Sequence, residues 1–231
     1  MNNSTIDAAY VDIVSDKEES TTKENKLIFY HIIKRVFDII CALLGIIMMA
    51  PITVILKICY MISGDFHSIF FVQKRIGKNG KEFYLYKYRT MVPNAEEVLK
   101  KLLKQKKYKE EWDKNQKFDK DPRITKMGRI LRKTSLDELP QMYNILYNDM
   151  SMIGPRPLVC GELDSHNGDH EIYESVKPGI TGWWASHGRS AITYEERLEL
   201  EYFYIKNRGI LLDIRCIFDT IKAVIMKSGA K

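Results

Sequence analysis

The feature that most constrains this chain is an apolar run that carries no charge between Asp38 and Lys57. The run has about the length of a helix that crosses the hydrocarbon core of a bilayer. A membrane segment therefore fits the run better than a buried helix of a soluble core, which is the less favoured alternative at this length.

Basic residues flank the run on both sides: Lys34 and Arg35 precede it, and it is followed by Lys57, Lys74, Arg75, Lys78 and Lys81. The positive-inside rule then favours the cytoplasmic side for both ends. Pro51, near the middle, lacks a backbone donor and clashes with the preceding turn, so it predicts a kink. A re-entrant helix satisfies both observations, and a single-pass helix with a tolerated proline is the alternative.

The chain of 231 residues divides into three parts on this basis. Residues 1–28 are polar and rich in Ser, Thr and Glu, which predicts a mobile N-terminal tail. Residues 29–63 are predicted to form the re-entrant membrane helix. Residues 64–231 mix helical and strand patterns, and we predict a cytoplasmic domain in a chain of α+β class that is predominantly helical.

The net charge of +6 indicates an anionic partner, which could be nucleic acid, an acidic membrane surface or a phosphorylated substrate. Nucleic acid ranks low because a membrane segment is present and only Trp183 and Trp184 could supply stacking aromatics. The four cysteines lack metal-ligand spacing, so we interpret them as reduced thiols in a cytoplasmic domain.

Three segments carry clear secondary-structure patterns. Residues 82–91 alternate and are rich in aromatics, which predicts a strand or hairpin arm. Residues 95–118 predict a strongly charged helix, either solvated or lying on an anionic membrane surface. The last helix carries an amphipathic stripe at spacings of three and four, more typical of core than of membrane contact: Leu211, Ile214, Phe218, Ile221 and Ile225.

Asp137 and Glu138 are adjacent carboxylates that follow Arg132 and Lys133. Ser135 and Glu138 have the spacing of a capping box, which is the structural interpretation of the pair. The functional interpretation is a nucleophile, because a helix N-terminus and nearby arginines keep a carboxylate ionised for attack on phosphorus.

Four arginines stand beside glycine or proline, where a rigid guanidinium is well placed to bind phosphate oxygens: Arg123, Arg129, Arg156 and Arg189. The sequence contains neither a GxxxxGK[ST] loop nor a GxGxxG fingerprint, which excludes the P-loop and Rossmann classes. Asp137, with Glu138, is the carboxylate best suited to hold a magnesium ion beside a diphosphate.

Taken together, these motifs resemble the bacterial sugar transferases, and in particular the small monotopic phosphoglycosyl transferases. The resemblance covers Lys34 to the C-terminus and rests on ordered motifs: KRVFD, the apolar hairpin with Pro51, YKYRTM, DPRITKMGRILRKTSLDELPQMYNIL, DMSMIGPRP, KPGITGWW and the Gly188-Arg189 pair.

The resemblance implies transfer of a sugar-1-phosphate from a UDP-sugar to undecaprenyl (polyprenyl) phosphate, with release of UMP. It implies that Asp137 is the covalent nucleophile of an Asp-Glu dyad with Glu138, beside Mg²⁺. The reaction would be ping-pong, through an aspartyl-phosphosugar intermediate, and would start a lipid-linked glycan at the cytoplasmic face of the bacterial inner membrane.

Carried over residue by residue, the resemblance implies phosphate- or nucleotide-binding roles for Arg132, Arg156 and Arg189. It implies positions near the site for Lys87 and Arg89, which are further candidates for phosphate or nucleotide binding. Its partners are the UDP-sugar, undecaprenyl phosphate and membrane lipid; nucleic acid is not expected, and a homodimer is left open. The rival functions are a glycosyltransferase that releases UDP and a non-catalytic basic scaffold at the membrane.

Two departures from the family pattern stand out. Ala50 precedes the kink proline where many relatives have Ser, so the bend lacks a hydroxyl from that position. The loop after Gly182 reads WWASHGR where relatives commonly have a Leu-Trp-Gln-Val-Ser-like stretch, and we expect this difference to affect sugar selection.

Overall fold

The computed structural model describes residues 3–115, 118, 120–187 and 192–225. The described part is mostly helical with a few short strands, as expected for a predominantly helical α+β chain. Its strands are β1 (Phe70–Ile76), β2 (Glu82–Tyr88), β3 (Ser151–Ile153) and β4 (Gly179–Thr181). Its helices are α1 (Asn3–Ile62), α2 (Ala95–Leu102), α3 (Lys106–Asn115), α4 (Lys126–Thr134), α5 (Gln141–Leu146), α6 (His170–Tyr173), α7 (Trp183–His187), α8 (Tyr194–Asn207) and α9 (Ile210–Ile225).

One face of α1 packs against the rest of the chain, while its other faces stay exposed. The stretch Asn25–Ile62 is long and apolar enough to cross a membrane, and only 22% of its most apolar window is buried. A buried core helix is therefore excluded as its role. The buried positions recur at spacings of four, seven or eight, as one face of a helix requires: Tyr30, Asp38, Ala42, Met49, Leu56 and Tyr60.

Helix α1 runs without interruption from Asn3, so its N-terminal part includes most of the predicted tail. The mobility of that tail stays a prediction. The helix also runs through Pro51, and the kink there stays a prediction. The Thr53 hydroxyl donates to the Met49 carbonyl at 2.8 Å and lies 2.5 Å from the Tyr88 hydroxyl. Hydroxyl groups near the proline thus come from Thr53 and Tyr88.

Polar side chains on α1 join it to the domain at fixed points. The Asp38 carboxylate is buried and accepts from the Ser151 hydroxyl at 3.0 Å and from the Met152 N–H at 2.8 Å. Lys34 forms a 2.6 Å ion pair with Asp213 of α9. These contacts hold α1 in one register against β3 and α9.

Arg35, which follows Lys34 in the KRVFD motif, caps the C-terminal end of α5. The Arg35 guanidinium donates to the carbonyls of Ile145 and Leu146 at 2.7 and 3.0 Å. Those carbonyls belong to the last turn of α5, where a helix has no internal donors left for them. The motif that opens the membrane segment is thus structural, because it joins α1 to β3, α5 and α9.

Strands β1 and β2 form an antiparallel hairpin, which confirms the predicted hairpin arm. Phe71 pairs with Lys87, and Arg75 pairs with Phe83. Because paired residues point to the same face of the sheet, Arg75 and Lys87 share one face of the hairpin. The second sheet has only two short strands, β3 and β4, which pair in parallel.

The amphipathic stripe of α9 does not face the core, so the prediction of a core stripe is wrong for its described members. Leu211 is 83% exposed and Phe218 is 67% exposed, and Ile214 and Ile221 are also exposed; the Ile225 side chain lies outside the described residues. The buried face of α9 instead carries Asp213, Cys216 and Ala223. The ion pair of Asp213 with Lys34 explains the rotation of the helix, since it draws a polar residue inward.

The charged segment after the hairpin forms two helices instead of one. Helix α2 ends at Leu102 and α3 begins at Lys106, so the charged helical stretch predicted over 95–118 is divided into two helices within the described residues. Helix α4 and the turn that follows it then bring the chain back beside β2. Glu138, in that turn, forms an ion pair with Lys87 of β2.

Asp38→Ala should destabilise the fold, because it leaves two buried donors without an acceptor, at a cost of about 1–3 kcal/mol for each. Asp38→Asn should cost less, since its side-chain oxygen can still accept from both donors. Thermal unfolding in detergent should rank the melting temperatures as wild type, then Asn, then Ala. Equal losses for Asn and Ala would contradict the role of the two hydrogen bonds.

Candidate active site

Asp137 and Glu138 lie in a single 3₁₀ turn, Leu136–Glu138, between α4 and α5. The residues on either side of the pair, Leu136 and Leu139, pack against a core cluster that includes Met49 and Leu56 of α1. The two carboxylates are therefore adjacent in sequence to side chains that pack against a core cluster partly built from α1.

Ser135 does not form the capping box that its spacing with Glu138 suggests. It adopts the left-handed conformation, with φ of 57°, and its side chain makes no capping hydrogen bond. Its backbone N–H instead bonds to the carbonyls of Arg132 and Leu131, which ends α4. The sharp reversal at Ser135 turns Asp137 and Glu138 back beside the end of α4.

A close approach between α4 and the end of β2 positions Arg132. A Cβ on Gly128 would overlap the carbonyl of Thr90, so only glycine allows α4 to lie this close. One turn later, the Arg132 Nε donates to the Thr90 hydroxyl at 3.0 Å. Arg132 is thus oriented by β2 towards the same region as Asp137.

Asn144 fixes α5 against β2 from the other side of the pair. Its side-chain amide donates to the Tyr84 carbonyl at 2.6 Å, and its oxygen accepts from the Tyr86 N–H at 3.1 Å. The amide thereby acts as a short extension of the strand's hydrogen-bonding edge. Lys87, the next residue of β2, then forms a 2.7 Å ion pair with Glu138.

The two carboxylates differ in their electrostatic environment. Burial, followed by repulsion from Glu138, raises the pKa of Asp137 above its usual value, while Lys87 and Arg132 oppose the rise. Glu138 is neutralised directly by Lys87, whereas Asp137 has no ion-pair partner among the described residues. Asp137 is therefore the carboxylate left available to a ligand.

A cleft opens on Asp137 and Glu138 and has two lobes that share Arg75, Lys87, Ser135 and Glu138. The Asp137 lobe has a volume of about 660 Å³ and also contains Arg132 and Phe71. The Trp184 lobe, of about 530 Å³, is lined by residues of the β3 and β4 loops and of α7 and α8, including Arg156, Trp184 and Glu201. Together the lobes offer a charged, extended site.

Arg156 is positioned in the Trp184 lobe through its backbone. Its N–H donates to the Glu201 Oε1 at 3.0 Å, and its carbonyl accepts from the Tyr173 hydroxyl at 3.0 Å. Its guanidinium lies 3.5 Å from the Glu162 carboxylate, and its side chain is 38% exposed, which leaves it accessible from the cleft. Burial raises the pKa of Glu201 to about 7.

The remaining predicted site residues lie differently. The Arg89 side chain is buried, bonds to the carbonyls of Ser68 and Met91, and pairs with Asp65 at 2.9 Å. It lines the Asp137 lobe with its donors already engaged in the fold, and its predicted binding role is untested. Arg189 lies outside the described residues.

Arg75 is a site residue that the sequence analysis missed, since it counted only as a basic flank of the membrane segment. It lines both lobes, and its guanidinium donates to the Pro157 carbonyl at 3.1 Å and to Gln73 at 2.7 Å. Hairpin register was the signal that could have found it, because Arg75 and Lys87 occupy one face. Glu201 gave no comparable signal, because only the packing of α8 buries it.

The carboxylates of the cleft fit a magnesium ion whose remaining coordination positions are filled by water and by substrate phosphates. The described residues contain no cluster of three or more metal-ligating side chains. Magnesium, however, is often bound by one or two carboxylates together with water and substrate phosphates. Asp137 and Glu138 are adjacent carboxylates that both line the Asp137 lobe, and a cation bound by the pair would relieve their repulsion.

Comparisons with known proteins agree with this geometry. The sequence profile described as bacterial sugar transferase matches residues 29–227. The chain therefore belongs to the bacterial sugar transferase family. Exopolysaccharide production protein ExoY of Sinorhizobium fredii is 40% identical over 198 residues, which cover 85% of this chain and 87% of that protein.

Two longer relatives carry more specific names. Undecaprenyl-phosphate galactose phosphotransferase of Salmonella typhimurium is 42% identical over 199 residues, covering 86% of this chain and 41% of that protein. UDP-N-acetylgalactosamine-undecaprenyl-phosphate N-acetylgalactosaminephosphotransferase of Aeromonas hydrophila is 32% identical over 208 residues, covering 87% of this chain and 46% of that protein. The chain thus spans less than half the length of these two relatives.

The balance of charges around Asp137 predicts opposite pKa shifts in two variants. Lys87→Gln should raise the pKa of Asp137 further, because it removes an opposing cation; Glu138→Gln should lower it, because it removes a neighbouring anion. Carbodiimide modifies protonated carboxyl groups, so the half-point of Asp137 labelling against pH should move up in the first variant and down in the second. Labelling of exposed Asp113 controls for the reagent, and shifts of the same sign in both variants would contradict the assignment.

Proposed function

We propose that this protein transfers a sugar-1-phosphate from a UDP-sugar to undecaprenyl phosphate and releases UMP. Membership of the bacterial sugar transferase family supports a transferase of this kind. The printed names of the relatives from Salmonella and Aeromonas, which are undecaprenyl-phosphate sugar phosphotransferases, support the donor and acceptor classes.

The observation that carries the proposal is the position of Asp137. It is a partly buried carboxylate with no ion-pair partner among the described residues, in a cleft where Lys87 and Arg132 line the same lobe. The leucines that flank the pair pack against a core cluster that includes side chains of the apolar helix. A soluble nucleotide sugar can enter such a cleft from water, while a lipid phosphate can reach it from the membrane surface.

In the first step, a carboxylate oxygen of Asp137 attacks the β-phosphorus of the UDP-sugar. A bond forms between that oxygen and phosphorus, and the bond from phosphorus to the bridging oxygen breaks, so that UMP leaves with the electron pair. The product on the protein is an aspartyl-phosphosugar, and the reaction class is nucleophilic catalysis. The ionised form of Asp137, which Lys87 and Arg132 favour, is the nucleophile.

In the second step, an oxygen of the lipid phosphate attacks the same phosphorus. The new phosphoanhydride forms as the bond between phosphorus and the Asp137 oxygen breaks, which restores the carboxylate. One phosphoanhydride is consumed and one is formed over the cycle, so we expect the reaction to be readily reversible.

Cationic side chains supply the charge stabilisation that phosphoryl transfer needs. Arg132 and Lys87 line the lobe that contains Asp137, and Arg156 lines the other lobe. We assign Arg132 and Arg156 to phosphate oxygens, with Arg75 between the lobes. A magnesium ion held by Asp137 and Glu138 would neutralise charge on the diphosphate.

The contacts of α1 support a monotopic arrangement. Tyr30 bonds to Asp213 and Tyr60 bonds to the Arg89 carbonyl, so two points about 45 Å apart along the helix contact one domain. A helix that crossed the bilayer in a single pass would carry its far end away from that domain. A helix that dips into the cytoplasmic leaflet, bending at Pro51, keeps both contacts.

Nucleotide release tests the reaction. Purified full-length protein with magnesium, undecaprenyl phosphate and a panel of UDP-sugars should form UMP, and Asp137→Asn should reduce the rate at least about a thousandfold, because it removes the nucleophile. Asp113→Asn, the same change on an exposed residue of α3, is the matched control and should leave the rate unchanged.

The intermediate is tested without the acceptor lipid. Wild-type protein should release UMP in an amount equal to the enzyme and retain a labelled phosphosugar on the peptide that contains Asp137. Release of UDP once the acceptor lipid is added would instead identify a glycosyltransferase. Full activity of Asp137→Asn, or an adduct on another residue, would reject the proposed nucleophile.

Labelling of introduced cysteines tests the topology. With Cys160→Ser as background, Lys26→Cys and His67→Cys mark positions on either side of the apolar segment. Both should resist a membrane-impermeant maleimide in spheroplasts and react in inside-out vesicles, because both ends lie on the cytoplasmic side. Opposite accessibility of the two positions would reject the re-entrant helix.

A further inference from the structure

A separate cavity with a basic lining lies away from the cleft and shares no lining residue with it. This basic pocket has a volume of about 360 Å³ and lies between α1, the segments that flank β3, and the end of α8. Its lining includes six basic side chains: His31, Lys34, Arg35, Lys78, Lys177 and Arg208.

The acidic side chains that line the basic pocket do not neutralise its basic side chains. Among its described lining residues, Asp38 is the one carboxylate, and it is engaged by the Ser151 hydroxyl and the Met152 N–H. Asp213, behind the lining, neutralises Lys34. The pocket therefore keeps an excess of positive charge.

Three of the cations remain available to a ligand. Lys78, Lys177 and Arg208 have no ion-pair partner among the described residues. Lys177 donates to the Asn148 side chain, and Arg208 donates to the Ile205 carbonyl while its Nε is buried without a hydrogen-bond partner. Burial, followed by repulsion from Arg35, lowers the pKa of Lys177. An anion in the pocket would relieve this repulsion.

The three free cations come from separate segments: the 3₁₀ turn Lys78–Gly80, the loop before β4, and the end of α8. Ammonium and guanidinium groups that converge on one cavity suit a phosphate group, whose oxygens accept several charge-assisted hydrogen bonds. The exposed apolar side chains of α1 begin beside the pocket, where Phe29 is 60% exposed and Ile32 is 58% exposed.

We propose that the basic pocket binds the phosphate group of an anionic membrane lipid, with its acyl chains along the exposed apolar face of α1. The phosphate diester of such a lipid matches the basic pocket, and its acyl chains match the adjoining apolar face of α1. A free phosphate would occupy only the basic pocket. This site is independent of the proposed transferase reaction, because it shares no residue with the cleft.

Lysine acetylation in nanodiscs tests the site on the full-length wild-type protein. Nanodiscs of phosphatidylcholine are compared with nanodiscs that also contain phosphatidylglycerol, and modification is measured by mass spectrometry. Phosphatidylglycerol should slow the acetylation of Lys78 and Lys177 about tenfold, as expected for lysines held in charge-assisted hydrogen bonds. Exposed Lys107 and Lys109 of α3 should not change.

A triple variant and a matched control complete the test. Lys78→Gln/Lys177→Gln/Arg208→Gln should retain phosphatidylglycerol about tenfold less tightly in native mass spectrometry, since it removes the free cations. Lys104→Gln/Lys107→Gln/Lys109→Gln makes the same charge change on exposed positions and should bind like the wild type.

The remaining outcomes decide against the proposal. Equal protection by inorganic phosphate in phosphatidylcholine nanodiscs would assign the pocket to a soluble anion and overturn the lipid. Equal protection of Lys107 and Lys109, or equal loss of lipid in both triple variants, would show general attraction to a charged surface. The wild-type labelling result stands even if the triple variant fails to fold.

Discussion

The architecture depends on the buried polar contacts of α1, because one face of that helix packs against the domain while its other faces expose apolar side chains. Asp38 accepts from Ser151 and Met152, and Lys34 pairs with Asp213, so the helix is fixed in rotation as well as in position. With one face held in this way, the apolar side chains of the other faces are left exposed along the length of the segment. A helix held only by apolar contacts could rotate more freely.

The same helix determines where the candidate chemistry lies. Leu136 and Leu139 flank the carboxylate pair and pack against the core cluster to which α1 contributes, while Asn144 binds the following helix to β2. Lys87 therefore meets Glu138, and Asp137 is left without an ion-pair partner within the described residues. The difference between the two carboxylates is thus a consequence of packing, since each is a short acidic side chain in the same turn.

Local patterns predicted much of this site, and their failures have physical causes. Asp137, Glu138, Lys87 and Arg132 do line one cleft, and the hairpin follows from its alternation. The capping box failed because Ser135 is used to end α4 in a left-handed conformation. The α9 stripe failed because helical periodicity identifies an apolar face without indicating what covers it, and the pairing of Asp213 turned the other face inward.

The sequence by itself determined the apolar segment, the hairpin and the acidic pair, because each depends on residues that are neighbours in the chain. It also carried the motifs of the bacterial sugar transferase family, which match over residues 29–227. The tertiary structure alone decided which cations surround Asp137, why Glu201 is buried beside Arg156, and that Lys78, Lys177 and Arg208 share one pocket. Those arrangements join residues far apart in sequence, and their energies depend on distance and burial, which no local pattern contains.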